Sequence, residues 1–325
     1  MKDCEEGNDD KVFNALENDE SQFHEIIDYK GRNALHYCSL GGQMDLVKFF
    51  LKKGLDMNVI DNDGQNVLHH SVIRGQVELV KYFIDNGMDI NVSDKKKSTP
   101  LLLALKNNHY KVASILIERG ADVNINIAEQ TILSFAVKSK NLDFALTIIE
   151  KGFDVTAADN DGSNGLHHSA AGGHTELVKL LVVEHGLDVN IKDNGGQTAL
   201  IRALKNGHDE LGTFLVNRGA DVNIQETQEQ KTTALHIAVK DRNFDLAKLL
   251  LENNAKTDLF DYSYDEMTPL HIAAQNGDIK LAQLLLEYNA QKDIKTKYTH
   301  VTPVKLAEQN GHENFACFIM LPSDR

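Results

Sequence analysis

The stretch TPLHIAAQNGDIKLAQLLLEYNA, Thr268–Ala290, reads as a helix, a short turn and a second helix. Versions of it recur from one end of the chain to the other, with a period of about 33 residues. One apolar position of the first helix marks the register: Leu35, Leu68, Leu101, Leu133, Leu166, Leu200, Leu235, Leu270 and Val304. Successive anchors lie 32 to 35 residues apart. That regularity overrides the two-domain expectation from a length of 325 residues. The units fall at about 28–60, 61–93, 94–126, 127–158, 159–192, 193–225, 226–260, 261–295 and 296–321. Residues 1–27 read as a capping half-repeat, since a first repeat needs a polar outer face, and 322–325 as a tail.

The fifth unit shows the physical logic. Asp159-Asn-Asp-Gly162 is turn chemistry. Leu166, Ser169 and Ala170 then recur at helical spacing, and Gly172-Gly173 breaks that short helix. Leu177, Val178, Leu180 and Leu181 supply the buried stripe of a second helix, which Gly186 stops. The stop position is Gly in most units and Asn254 or Asn289 in two, the residue types that tolerate a left-handed backbone.

These units resemble ankyrin repeats, whose signature is D-x-x-G-x-T-P-L-H-x-A. The signature stands as Thr268-Pro-Leu-His-Ile-Ala273, and in part at Thr233–Ala238, Thr198–Leu200 and Thr99–Leu101. Thr can cap free N–H groups, and Pro at the first helical position loses no bond the helix needs. The trailing G-A-D-V-N is intact at Gly120–Asn124 and Gly219–Asn223. The resemblance covers 28–321 and implies an all-α ankyrin-repeat solenoid, with helix-turn-helix repeats joined by β-turn or hairpin-like loops. It implies that His36, His69, His167, His236 and His271 bond to the turns; Leu102, Ser134, Ile201 and Lys305 replace them elsewhere. It also makes Asn124 and Asn223 candidate hydroxylation targets, each with a Leu eight residues earlier (Leu116 and Leu215). The alternative for both is an Asn that stabilises its turn. The fourth unit departs most, because Asn126–Gln130 lacks the Asp and Gly and Lys140 replaces the inter-helix Gly. It is expected to be the soft point of the array. Extra residues at Thr227–Thr232 and Tyr262–Met267 predict longer loop tips.

Composition narrows the function. Lys plus Arg is 34 against 48 Asp plus Glu, a formal net charge of -14. An acidic surface argues against general nucleic-acid binding. Cys4, Cys38 and Cys317 show no metal or redox spacing, and Cys38 falls at a small core position. The opening MKDCEEGNDD is no secretory signal, and no apolar run has membrane-spanning length. The expected compartment is the cytoplasm, with the nucleus second.

Fourteen histidines include the pairs His69-His70 and His167-His168. Neighbours on a helix point about 100° apart and seldom share one ion, so no metal is expected. Ser71 and Ser169 follow histidines but occupy the small core position of Ala104, Ala203 and Ala238. There is no phosphate loop, no G-x-S-x-G and no H-E-x-x-H. The chain is read as non-catalytic and without cofactor.

Stacked repeats build a concave face. In the ankyrin family contacts come from loop tips and the exposed side of the first helix. Here those positions give Tyr29, Lys30, Arg32, Lys95, Lys96 and Lys97 on tips, and Lys106, Lys138, Lys205 and Lys240 at one inner-helix position, with Arg74 next to it. Tyr262, Tyr264, Met267 and Tyr298 gather on the C-terminal tips, and aromatic and Met residues are enriched at interface centres. The leading reading is a protein–protein interaction scaffold or adaptor that grips an acidic or phosphorylated segment of another protein. A second reading is a targeting or inhibitory region of a larger enzyme or complex. A third, nucleotide or RNA binding through the lysine-lined groove, is opposed by the net charge and by the lack of interleaved aromatics.

Overall fold

The computed structural model describes residues 28–127, 130–227, 231–261 and 265–320. The capping half-repeat at 1–27, Cys4, Tyr262, Tyr264 and the tail lie outside the described residues. The rest is helix pairs, and the chain groups into two units.

The first unit draws on Met1–Ala128 and Asp143–Asp154. Its pairs are α1 (Ala34–Gly41) with α2 (Met44–Lys52), α3 (Val67–Ile73) with α4 (Val77–Asp85), and α5 (Pro100–Lys106) with α6 (Tyr110–Glu118), followed by β1 (Asn126–Ile127). Most of α8 (Leu142–Glu150) belongs here, where Phe144 meets Tyr110 edge-on at 5.9 Å. Each first helix packs on its own second helix and on the next first helix. Leu35, Leu68, Leu101, Phe50 and Phe83 are thereby fully buried. No single pair could hide them, because each pair's apolar side is covered by its neighbour.

The second unit draws on Glu129–Leu142 and Val155–Arg325. It holds β2 (Gln130–Thr131), α7 (Ile132–Lys138), and the pairs α9 (Gly165–Ala171) with α10 (Thr175–Lys179), α11 (Ala199–Lys205) with α12 (Asp209–Asn217), and α13 (Ala234–Lys240) with α14 (Phe244–Glu252). Two more follow: α15 (Pro269–Asn276) with α16 (Ile279–Glu287), and α17 (Pro303–Gln309) with α18 (Glu313–Met320). The anchors Leu133, Leu166, Leu200, Leu235 and Leu270 are buried, as are Leu215, Leu250 and Leu285 of the second helices. In α18 Phe315 and Ile319 fold inward while Met320 stays exposed.

Two departures from the sequence reading have local causes. The second helix of the fifth repeat continues past α10 as a π-helical segment, Leu180–Glu184. This repeat has one more residue than each of the first three, and the wider turn absorbs it. Leu177, Val178 and Leu181 are buried and Leu180 is half-buried, as Phe49, Tyr82 and Ile115 are at the same place in the first three repeats. Lys140 takes a left-handed φ of 57°, the conformation Gly173 and Gly207 adopt at the same place. A side chain costs about 1 kcal/mol there.

Candidate functional site

The first helices are opened by a repeated cap. Thr268 and Thr233 place their hydroxyls 2.8 and 2.7 Å from Nδ1 of His271 and His236, and their N–H groups donate to the same nitrogen. The opposite ring nitrogen, Nε2, then reaches the next turn: Val301 O from His271 at 3.1 Å, Met267 O from His236 at 3.2 Å. His167 likewise lies 3.1 Å from Ile191 O and 3.2 Å from Gln197 O. Each of these histidines therefore ties one repeat to the next. Nε2 of His36 and His69 is buried without a hydrogen-bond partner, although the Val59 and Gln65 carbonyls, and those of Val92 and Ser98, lie on that side. Burial pushes all five imidazoles below the usual histidine range.

The second member of each His pair has a different task. His70 Nε2 sits 3.0 Å from Asp61 Oδ2 and His168 Nε2 2.8 Å from Asp159 Oδ2. The two nitrogens of an adjacent pair thus serve separate partners. Among the described residues no group of three His, Cys, Asp or Glu is placed to hold a metal. The hydroxyls of Ser71 and Ser169 donate back to Val67 O and Gly165 O, as buried helix serines do.

The turn acids themselves point inward, which sequence reasoning missed. Asp28 accepts from the main chain of Lys30 and Arg32 and from Tyr37 Oη; these bonds outweigh burial and hold its pKa at about 2. Asp193 accepts from Arg202, whose Nη2 also donates to Ser163 Oγ at 2.8 Å. In four repeats the partner lies nine residues after the acid (Asp28 and Tyr37, Asp61 and His70, Asp159 and His168, Asp193 and Arg202). That spacing is visible in the sequence and could have found them.

The lysine positions divide by environment. Lys106, Lys138, Lys205 and Lys240 are each the last residue of a first helix, α5, α7, α11 and α13. Lys106, Lys138 and Lys240 have exposed side chains. Lys205 is engaged within the fold, its Nζ 2.6 Å from Oε2 of the fully buried Glu226. Gln197 Nε2 and the Thr232 N–H complete the shell of that carboxylate. Arg74 is exposed just beyond the end of α3.

On the tips, Tyr29 is 86% exposed with Lys30 Nζ 5.6 Å over its ring, and Lys95, Lys96 and Lys97 are exposed. The Arg32 guanidinium is held by Asp28 at 3.0 Å and covers the Tyr37 ring. Tyr298 is 61% exposed. Met267 is half-buried, and its N–H donates to Asp261. Asn124 Oδ1 accepts from the Asp154 N–H, and Asn223 Oδ1 from the Lys256 N–H at 2.8 Å, while Asn223 Nδ2 donates to Asn254 O. Both side chains link one turn to the next.

A model of tandem ankyrin repeats matches residues 1–94, 35–127, 75–159, 133–226, 193–261 and 235–324. The chain belongs to the ankyrin-repeat family, whose members in general mediate protein–protein interaction. A solved chain from the complex of the Bd0816 predatory endopeptidase of Bdellovibrio bacteriovorus with the immunity protein Bd3460 is similar in fold. The TM-score is 0.50 at 24% identity, over 57% of this chain and 95% of that one. No curated protein is matched. Among the described residues no helix is long and apolar enough to cross a membrane.

Proposed function

We propose that this chain is a non-catalytic adaptor that binds an acidic or phosphorylated segment of another protein along its first-helix ends and loop tips. The supporting observation is the pattern of lysines at the last residue of first helices. Lys106, Lys138 and Lys240 extend into solvent from a protein of net charge -14. Exposed cations attract an anionic chain before contact. Lys205, in the same register, is tied to Glu226 and serves the fold instead. Tyr298 and Tyr29 offer exposed aromatic surface next to the cationic positions of the tips.

The test is quantitative affinity capture with the unaltered chain and with Lys106→Glu, Lys138→Glu and Lys240→Glu combined. Partners bound at low salt should be lost from the triple variant, with circular dichroism unchanged. Retention of the same partners at equal affinity would remove these lysines from the site.

A further inference from the structure

The tips of the first three repeats form one basic surface whose chemistry selects among anions. Their main chains are stitched together: the Asn62 N–H donates to Lys30 O at 2.8 Å and the Lys95 N–H to Asp63 O at 2.9 Å. Side chains reinforce this, with Asn62 Nδ2 on Tyr29 O at 3.1 Å and Lys95 Nζ on Asn62 O at 2.8 Å. The turn acids are turned away from the surface. Asp61 and Asp94 are 5% and 6% exposed, and Asp28 is half-buried against Arg32 and Tyr37. Lys30, Lys96 and Lys97 are left outside, with Asp63 the exposed acid among these tip residues. The exposed acids Asp56, Asp89 and Asp122 follow the second helices, in the connections that lead away from them. Among these tip residues the exposed charge is thus net positive.

The same tips lack what a phosphate site needs. A phosphate is usually held by converging main-chain N–H groups or by the planar fork of arginine. Here the N–H groups of Lys30, Asp63 and Lys96 donate to the carboxylates of Asp28, Asp61 and Asp94. Those of Gly31, Gly64 and Lys97 donate to the carbonyls of the same three residues. The guanidinium of Arg32 is engaged by Asp28. Flexible ammonium groups remain, and these are point charges without a fixed geometry.

We infer that the tips formed by Tyr29–Lys30, Asn62–Asp63 and Lys95–Lys97 bind a carboxylate-rich peptide segment, recognised by charge density with no requirement for a phosphate. The inference rests on the adaptor reading above and removes phosphorylation as a requirement on its partner. Tyr29, exposed beside Lys30, supplies apolar contact for a side chain flanking the acidic run. RNA fits less well, because no ladder of aromatics accompanies the lysines.

The test uses the full chain and three fluorescent probes of equal net charge: a Glu-rich peptide, a phosphoserine peptide and a single-stranded RNA. The Glu-rich peptide should bind at low salt and weaken about tenfold or more between 50 and 200 mM salt. The phosphoserine peptide should bind within about twofold of it. Lys30→Gln with Lys96→Gln and Lys97→Gln should reduce binding of both peptides about tenfold, with unchanged circular dichroism. Preference of tenfold or more for the phosphopeptide or for RNA would overturn the inference, as would full binding by the triple glutamine variant. If the Lys106, Lys138 and Lys240 variant loses the Glu-rich peptide while the tip variant keeps it, the inference fails and the adaptor reading stands. If both variants keep it, both fail.

Discussion

His167 Nδ1 lies 2.8 Å from the Asn164 Oδ1 that also accepts the His167 main-chain N–H at 3.2 Å. A Thr hydroxyl in that place can accept the main-chain proton and donate its own to the ring, which leaves Nε2–H free to bond the next turn. An Asn oxygen has no proton to give. The neutral ring of His167 must therefore set a lone pair against Asn164 Oδ1 or against the Ile191 and Gln197 carbonyls. Asn33 and Asn66 likewise set an amide oxygen against Nδ1 of His36 and His69.

Asn164→Thr should relieve this conflict. The expected outcome is an Nε2–H tautomer at residue 167, seen by nitrogen-correlated NMR of the imidazoles, and a gain of about 0.5–1 kcal/mol in urea unfolding. The main-chain N–H of each N-cap residue donates to Nδ1, so His36, His69, His236 and His271 should all show Nε2–H. Nδ1–H at any of these rings would contradict the assignment.

Acid should loosen the array well above the carboxylate range. Burial lowers the capping histidines, and burial with the neighbouring His36 lowers His70 to about 4. A folded pKa below the unfolded value means that the unfolded chain binds more protons as pH falls. Stability present above about pH 6.5 is then lost on the way down to about pH 4. For His70 the loss is on the order of 3 kcal/mol. Urea midpoints at about pH 7.5, 6 and 5 should fall in that order, with a shallower slope in His70→Gln. A flat midpoint across this range would count against neutral buried caps.

Lys205 and Lys138 hold the same helical position but should answer differently to removal of charge. Lys205→Met leaves Glu226 buried without its cation and should cost about 2 kcal/mol or more. Lys138→Met, on an exposed lysine, should fall within about 0.5 kcal/mol of the parent. Equal effects in chemical denaturation would mean that the Lys205–Glu226 pair does not matter to the fold.

The fourth repeat is where the two units divide, with α7 in one and most of α8 in the other. It also has Ser134 where other repeats have the capping histidine, and Ser134 pairs with Thr131 inside its own cap. Amide exchange should be faster across 127–141 than across 193–210, and Lys140→Gly should stabilise by about 0.5–1 kcal/mol. Uniform protection of the two segments would remove the soft point.

The helix stops were legible in the sequence because one backbone geometry demands a narrow residue set. Gly120, Asn254 and Asn289 all take positive φ, at 94°, 63° and 62°. The anchors were legible because the period returns an apolar residue to the same place in each first helix; eight are buried, and Val304 in the last is half-buried. The acid–partner spacing of nine residues was present but is masked by its changing partner, Tyr37, His70, His168 or Arg202. The Lys205–Glu226 pair was hidden, because it spans 21 residues and Glu226 stands where other turns have Asp. The surface role of each lysine depended on such partners, so the sequence could list the lysines but could not sort them.

The central claim is that partners are gripped at first-helix ends and tips, not on the second helices. Photo-crosslinking amino acids at positions 138, 240 and 96, and at 248 on α14, would test it in a native extract. The account predicts one partner crosslinked from 138, 240 and 96 and not from 248. Crosslinks from 248 alone would contradict it.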